Sequence, residues 1–164
     1  MRGKVWKFGN NVDTDAITPS KYLGGPQAEL KEHILEVVNP RFPKEVSVGD
    51  IIVAGSNFGC GSSRESAPAA LKTLGIGAIV AESFARIFFR NSIAIGLPII
   101  TSPDVSASFA DGDEMELDLA TAKITNLTQR KILHAQPLPE QMLQVLSKGG
   151  IVPLLKEIAR KAKG

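Results

Sequence analysis

Asn57-Phe58-Gly59-Cys60-Gly61-Ser62-Ser63-Arg64-Glu65-Ser66 is a polar, glycine-broken stretch between two segments of opposite character. Ahead of it, Val48-Gly49-Asp50 turns the chain into Ile51-Ile52-Val53-Ala54, a short apolar run suited to a strand buried on both faces. Behind it, Glu65 to Leu74 is rich in alanine, Gly75 supplies a helix stop, and Ile76 to Ala81 is apolar again. Strand, loop, helix and strand therefore follow in order. Ser83 can cap a second helix through about Ile95, Gly96 can end it, and Leu97-Pro98-Ile99-Ile100 offers a third short strand. Two consecutive crossovers of this kind require neighbouring strands to run parallel, which makes the core an α/β sheet with flanking helices.

The flanks add to this centre. Val5 to Phe8 suits a short strand and opens into Gly9-Asn10-Asn11-Val12-Asp13-Thr14-Asp15, whose Gly, Asn and Asp residues favour turns. Gln27 to Val38 places Leu30, Ile34, Leu35 and Val38 near helical spacing until Pro40 stops the pattern. Beyond Pro103 the texture changes: Asp111-Gly112-Asp113 is a turn, Met115 to Leu119 alternates, and Lys123-Ile124-Thr125 can pair with it as an antiparallel hairpin. Pro139 to Leu146 and Val152 to Ala162 carry helical patterns separated by Gly149-Gly150. A length of 164 residues fits one domain, 1–164.

Composition narrows the function classes. Hydrophobic residues make up 43% and charged residues 22%, so a packed interior is expected and disorder is not. The net charge of +2 is scattered and gives nucleic-acid binding no support. The basic run from Lys156 to Lys163 is accounted for as the solvated, dipole-favoured end of a last helix. No apolar run approaches the roughly 20 residues of a membrane span, and Met1 to Asn10 lacks the apolar core of a secretion signal, so a cytoplasmic protein is expected. The single cysteine, Cys60, permits neither an intramolecular disulfide nor an all-cysteine metal site. No metal is expected on this chain.

The chemistry is concentrated in the stretch quoted first. A loop at the carboxyl edge of a parallel sheet is where ligands commonly bind. Gly59 and Gly61 can adopt conformations closed to other residues, and they let a ligand approach the main chain. Free amides at a helix start favour an anion, and the planar fork of Arg64 suits two-point binding of a carboxylate. A small carboxylate ligand follows. Ser62 supports two accounts: Ser62-Ser63-Arg64-Glu65 also fits a Ser-x-x-Glu capping box, in which Ser62 serves only the helix. The Gly-x-x-x-x-Gly-Lys-Ser/Thr phosphate loop is absent.

Three segments, in order, resemble the small-subunit or swivelling domain of the aconitase superfamily, in particular isopropylmalate isomerase small subunits. Asn11 to Pro19 is similar to that family's Asp-Thr-Asp signature, Asn57 to Glu65 to its Gly-Ser-Ser-Arg-Glu loop, and Glu82 to Asn91 with Gly96-Leu97-Pro98 to the helix and strand after it. The resemblance implies a swivelling β/β/α domain, a parallel core with antiparallel additions. It implies that Ser62 is the base removing a proton beside the substrate carboxylate, that Ser63 and Arg64 hold carboxylate oxygens, and that Asp15 and Thr18 line the same site. A serine hydroxyl is a poor base at neutral pH, so its alkoxide needs oriented donors and positive charge. The resemblance further implies a 4Fe-4S cluster, which needs several thiolates and so belongs to a separate large subunit. The reaction implied is dehydration and rehydration of a malate-like dicarboxylate, as in leucine biosynthesis.

Tyr22-Leu23-Gly24-Gly25 corresponds to the loop that faces the variable substituent of the substrate in the resembled family. It has no arginine for a third carboxylate and leaves apolar surface and space, which favours the isopropyl group of isopropylmalate. Homoaconitate, citramalate or dimethylmalate-type substrates are alternatives, as is a non-catalytic carboxylate-binding module. Cys60 is expected to pack the loop. His33 and His134 have no second ligand nearby in sequence and are expected at the surface or in ordinary hydrogen bonds. Phe84, Phe88 and Phe89 are expected as core or interface aromatics, and Arg86 with Arg90, four apart, as anion holders, partner contacts or members of salt links.

Overall fold

The computed structural model describes residues 1–164. The chain opens with β1 (Arg2–Lys7), followed by three short helices, α1 (Thr14–Ile17), α2 (Gln27–Lys31) and α3 (Phe42–Glu45). Then come β2 (Ile51–Ala54), α4 (Ser66–Leu74), β3 (Ala78–Ala81), α5 (Arg86–Ala94) and β4 (Ile99–Thr101). After α6 (Val105–Ser108) lie β5 (Glu114–Asp118), β6 (Lys123–Asn126) and β7 (Lys131–His134), and the chain ends with α7 (Glu140–Ser147) and α8 (Ile151–Lys163). The seven strands form one mixed sheet in the order β4-β3-β2-β1-β5-β6-β7. β1 to β4 are parallel to their neighbours, and β5 to β7 join β1 antiparallel.

Strand alternation feeds two cores. Ile52, Ala54, Ile79, Ala81 and Ile99 face one side, with Trp6, Leu71 and Phe88 in the larger cluster. Ile51, Val53, Ala78, Val80 and Ile100 face the other, against Val105, Phe109, Met115, Leu117 and Ile124. Every residue of β2 and β3 is buried, as a parallel strand covered on both faces must be. The antiparallel half is instead half-buried: β5 alternates outward Glu116 with inward Met115 and Leu117.

Three sequence expectations are corrected here, and one strand is added. The helix expected through Val38 is only α2, after which the chain turns. Leu35 has a positive φ of 57°, is fully buried, and donates its amide to the Ile17 carbonyl at 3.2 Å, so core packing and a long-range bond override helical spacing. Ser83 does not cap the second helix, which begins at Arg86, because its Oγ accepts the Asn57 amide at 2.8 Å. The helix that the capping account starts at Ser62 begins instead at Ser66. Finally, β7 was not foreseen; its exposed edge carries Lys131 and His134, polar side chains of the kind that discourage further strand pairing.

Candidate active site

The loops after β1, β2 and β3 lie side by side and extend the parallel sheet past its strands. The Asn11 amide donates to Ser56 O at 2.8 Å, Gly59 to Val12 O at 2.8 Å, and Thr14 to Cys60 O at 2.8 Å. On the other side Phe58 donates to Ser83 O at 3.1 Å and Ala85 to Phe58 O at 3.0 Å. Asp13 with Cys60, and Phe58 with Phe84, thereby form isolated parallel bridges. Each central-loop glycine faces a neighbouring element. A Cβ on Gly59 would sit 2.1 Å from Phe88 Cγ, and one on Gly61 would sit 3.2 Å from Thr14 Oγ1; both have positive φ. What approaches these glycines closely is the protein itself.

This lacing removes the capping account of Ser62. Ser62 is exposed, its amide donates to Thr14 Oγ1 at 3.2 Å, and its Oγ lies 3.0 Å from that oxygen. The residue preceding α4 is Glu65, in helical conformation and with no side-chain cap, so the capping box does not form. Ser63, Arg64 and Glu65 are also exposed, and their amides donate to no acceptor in the chain. Pro68, in the first turn of α4, has no amide to offer, which leaves those of Ser66 and Ala67 as the free donors of the helix start.

Asp15 stands on α1 beside this loop. Hydrogen bonds from the Ser20 hydroxyl and its amide, the latter at 3.0 Å, hold the Asp15 carboxyl below the usual aspartate range, and the charge of Arg64 adds to the effect. Arg64 is thus within electrostatic reach of Asp15 without forming an ion pair. Thr18 departs from expectation. It is fully buried and its hydroxyl donates to Thr14 O at 3.2 Å, so it braces α1 from inside and presents nothing to the open side. Thr14, which sequence reasoning passed over, is 4% exposed and makes the contacts that hold Ser62. Its position within the Asp-Thr-Asp signature was the only available signal.

The loop expected to face a substrate's variable group begins as a 3-10 turn, Ser20–Tyr22. Tyr22 stacks on His33 with ring centroids 3.8 Å apart and 2° between planes, and Lys21 lies over the tyrosine ring at 4.8 Å. A hydrogen bond to Tyr22 raises the pKa of Lys21. His33 Nδ1 sits 2.8 Å from a Glu36 carboxylate oxygen. Leu23 and Gly24, with Leu30, Ile34, Ser66 and Ala70, line a cavity of about 260 Å³ along α4. Ser66 Oγ is buried there with no partner. A larger cavity, about 500 Å³, lies against Met1 and Glu116 to Ala120 on the antiparallel half. It contains no group of the Ser62 loop and has no part in this site.

Arg86 and Arg90 are exposed and, with Phe84 and Phe89, line a cavity of about 340 Å³. Phe88 is core, while Phe84 is half-buried against Phe58 and Phe88. No three His, Cys, Asp or Glu side chains converge, and the lone Cys60 is half-buried. The donor set around Ser62 consists of hydroxyls, amides and a guanidinium, which suits a carboxylate and does not suit ligation of a thiolate-held cluster. No helix is long and apolar enough to cross a membrane.

Known proteins share this fold over nearly its whole length. The aconitase C-terminal domain model matches residues 6–104, which hold all three loops. The isopropylmalate/citramalate isomerase small subunit of Methanocaldococcus jannaschii is 52% identical over 96% of this chain and 94% of its own. The homoaconitase small subunit of Methanothermobacter thermautotrophicus is 53% identical over 93% of this chain and 88% of its own. Among solved structures, a 3-isopropylmalate dehydratase from Methanocaldococcus jannaschii superposes with a TM-score of 0.90 at 42% identity, covering 99% of this chain and 98% of the other. Most of the similar proteins carry the isopropylmalate name, with a homoaconitase small subunit at near-equal identity. With a fold that matches throughout and a motif loop built as described, the chain belongs to the aconitase C-terminal domain family, among the small subunits of its isopropylmalate dehydratase branch.

Proposed function

We propose that this chain, acting as one domain, is the small subunit of a hydro-lyase interconverting 2-isopropylmalate and 3-isopropylmalate by dehydration and rehydration. The observation that carries the proposal is the exposed Ser62 hydroxyl, released from helix capping and flanked by unpartnered amides and the Arg64 guanidinium. Ser62 Oγ, as an alkoxide stabilised by those donors, accepts the proton from the carbon beside a substrate carboxylate and becomes the neutral hydroxyl. The electron pair left behind expels the hydroxyl from the adjacent carbon, and the reverse steps restore proton and hydroxyl with their positions exchanged. Ser63 and Arg64 hold carboxylate oxygens, and a two-point grip by the guanidinium fixes the carbon against Ser62. Asp15 stays ionised and lies within electrostatic reach of Arg64. Gly59 and Gly61 allow the loop its bends.

A single cysteine cannot hold an iron-sulfur cluster, so the proposal places a 4Fe-4S cluster on a larger partner subunit, in a heterodimer or heterotetramer. When bound there, the cluster supplies Lewis-acid activation of the departing hydroxyl. The complex is assigned to the cytoplasm, where reducing conditions keep Cys60 a free thiol. The substrate choice rests on Tyr22 to Gly25: Leu23 borders an apolar-sided cavity, and the loop bears no arginine to meet a third carboxylate. Anaerobic affinity purification tests the partner directly, with an iron-containing larger chain expected to copurify. Assays of the reconstituted complex on isopropylmalate, citramalate, dimethylmalate and homoaconitate then test the substrate. Preference for the tricarboxylate overturns the substrate assignment, and full activity of Ser62→Ala overturns the base.

A further inference from the structure

We infer that Thr14 is a positioning residue for Ser62: its hydroxyl donates to the Ser62 oxygen in the deprotonated state and fixes where that oxygen points. The inference rests on the proposal that Ser62 is the base, and deepens it. Thr14 Oγ1 has one proton and two lone pairs. One lone pair receives the Ser62 amide at 3.2 Å, and the remaining contact of the oxygen is Ser62 Oγ at 3.0 Å. While both hydroxyls are neutral, either can donate. Once Ser62 has lost its proton, only Thr14 can, so the hydrogen bond is strongest in the state that must be stabilised for a serine to act as base.

The surroundings hold Thr14 to this task. It is 4% exposed, and a β-branched side chain has few rotamers to exchange. Its amide donates to Cys60 O at 2.8 Å, while its carbonyl accepts from Thr18 N at 2.9 Å and the Thr18 hydroxyl at 3.2 Å. Gly61 leaves room for the hydroxyl: the nearest atom to a Cβ there would be Thr14 Oγ1, at 3.2 Å. The same threonine thus grips the base through both its amide and its oxygen, from a segment 48 residues away in sequence. Buried Thr18 is thereby placed one step further back, bracing the residue that braces the base.

The test compares Thr14→Val, which keeps the shape and deletes the hydroxyl, with Thr14→Ser, which keeps the hydroxyl, in the complex reconstituted with its large subunit. Thr14→Val should lower kcat about 10- to 100-fold, leave KM within about twofold, and move the base limb of the kcat–pH profile to higher pH. Thr14→Ser should restore both rate and limb. In a Ser62→Ala background, Thr14→Val should cause no further loss, because its effect acts through the missing oxygen. Unchanged kcat in Thr14→Val, equal damage in Thr14→Ser, or an additive loss in the double variant overturns the inference. Should Thr14→Val fail to assemble, Thr14→Ala against Thr14→Ser makes the same comparison, and failure of Thr14→Ala to assemble as well assigns Thr14 a purely structural role. Full activity of Ser62→Ala defeats the base itself, whereas an inactive Ser62→Ala beside a fully active Thr14→Val defeats this inference alone.

Discussion

Gly59 leaves no space for a side chain toward Phe88: a Cβ there would lie 2.1 Å from Cγ and 2.5 Å from Cβ of the phenylalanine. The Ser62 loop is therefore set directly on the aromatic cluster of Phe58, Phe84 and Phe88, and its position is a property of the core. Gly59→Ala combines this overlap with a positive φ of 81° and should destabilise the protein by about 2 to 4 kcal/mol. Phe88→Leu in the same chain should recover part of the loss. Denaturant unfolding of the two single variants and the double variant measures this, and strict additivity would show that the contact is not the cause.

Asp113 secures the antiparallel half. Its Oδ2 accepts from the Ala110 amide at 2.9 Å, Asn126 Nδ2 at 2.8 Å and Gln129 Nε2 at 2.6 Å, at 6% exposure. Burial pushes its pKa up, but the three donors and the charge of Lys131 outweigh it and leave the carboxyl below its ordinary value. A depressed folded pKa stabilises the protein above the unfolded value, about 3.9, and the contribution fades as pH falls through the folded one. Asp113→Asn should cost about 1 to 3 kcal/mol at neutral pH. It should also flatten the loss of stability as pH falls below about 4, read from denaturation midpoints. An unchanged acid limb would remove Asp113 from the account.

The parallel core was legible because Ile51 to Ala54 and the run ending at Ala81 are apolar throughout, and few environments other than a doubly covered strand accept such runs. The start of α4 was not. Ser62 to Glu65 spells a local cap, but the competing partner, Thr14, is brought to Ser62 only by the lacing of two loops. Ser62, Arg64 and Asp15 could be singled out by motif, whereas the contact of Thr14 with Ser62 and the burial of Thr18 arise only when distant segments pack together. β7 escaped notice because Lys131 to His134 sits at an edge with little buried surface, so its pattern does not alternate.

Gly24 and Gly25 differ in what they permit. A Cβ on Gly24 meets nothing within 4 Å, but its φ of 85° strains any other residue by about 1 to 2 kcal/mol. Gly25 has no such backbone demand, and its nearest side-chain atom would be Glu29 Oε2 at 3.7 Å. Gly25→Arg should therefore fold normally yet lose much of its reach to that carboxylate. Combined with Glu29→Gln, it should raise kcat/KM for a tricarboxylate relative to isopropylmalate by about 10- to 100-fold, the worth of one charge-assisted pair. Competition assays on the reconstituted complex decide the matter. A ratio that does not move would show that the partner subunit, and not this loop, reads the variable group.

Arg64 offers the sharpest separation between charge and geometry. It is exposed, forms no ion pair, and acts on Asp15 only through space, so replacing it should leave folding intact. Arg64→Lys keeps the positive charge but loses the planar fork that can grip both oxygens of a carboxylate. If the fork orients substrate against Ser62, Arg64→Lys should lose most of what Arg64→Ala loses, about 10- to 100-fold in kcat/KM. The loss should divide between KM, from weaker binding, and kcat, from poorer alignment of the carbon with the serine oxygen. Recovery of nearly full kcat/KM by lysine would reduce Arg64 to a source of charge, and the two-point grip assigned to it would then have to come from the partner.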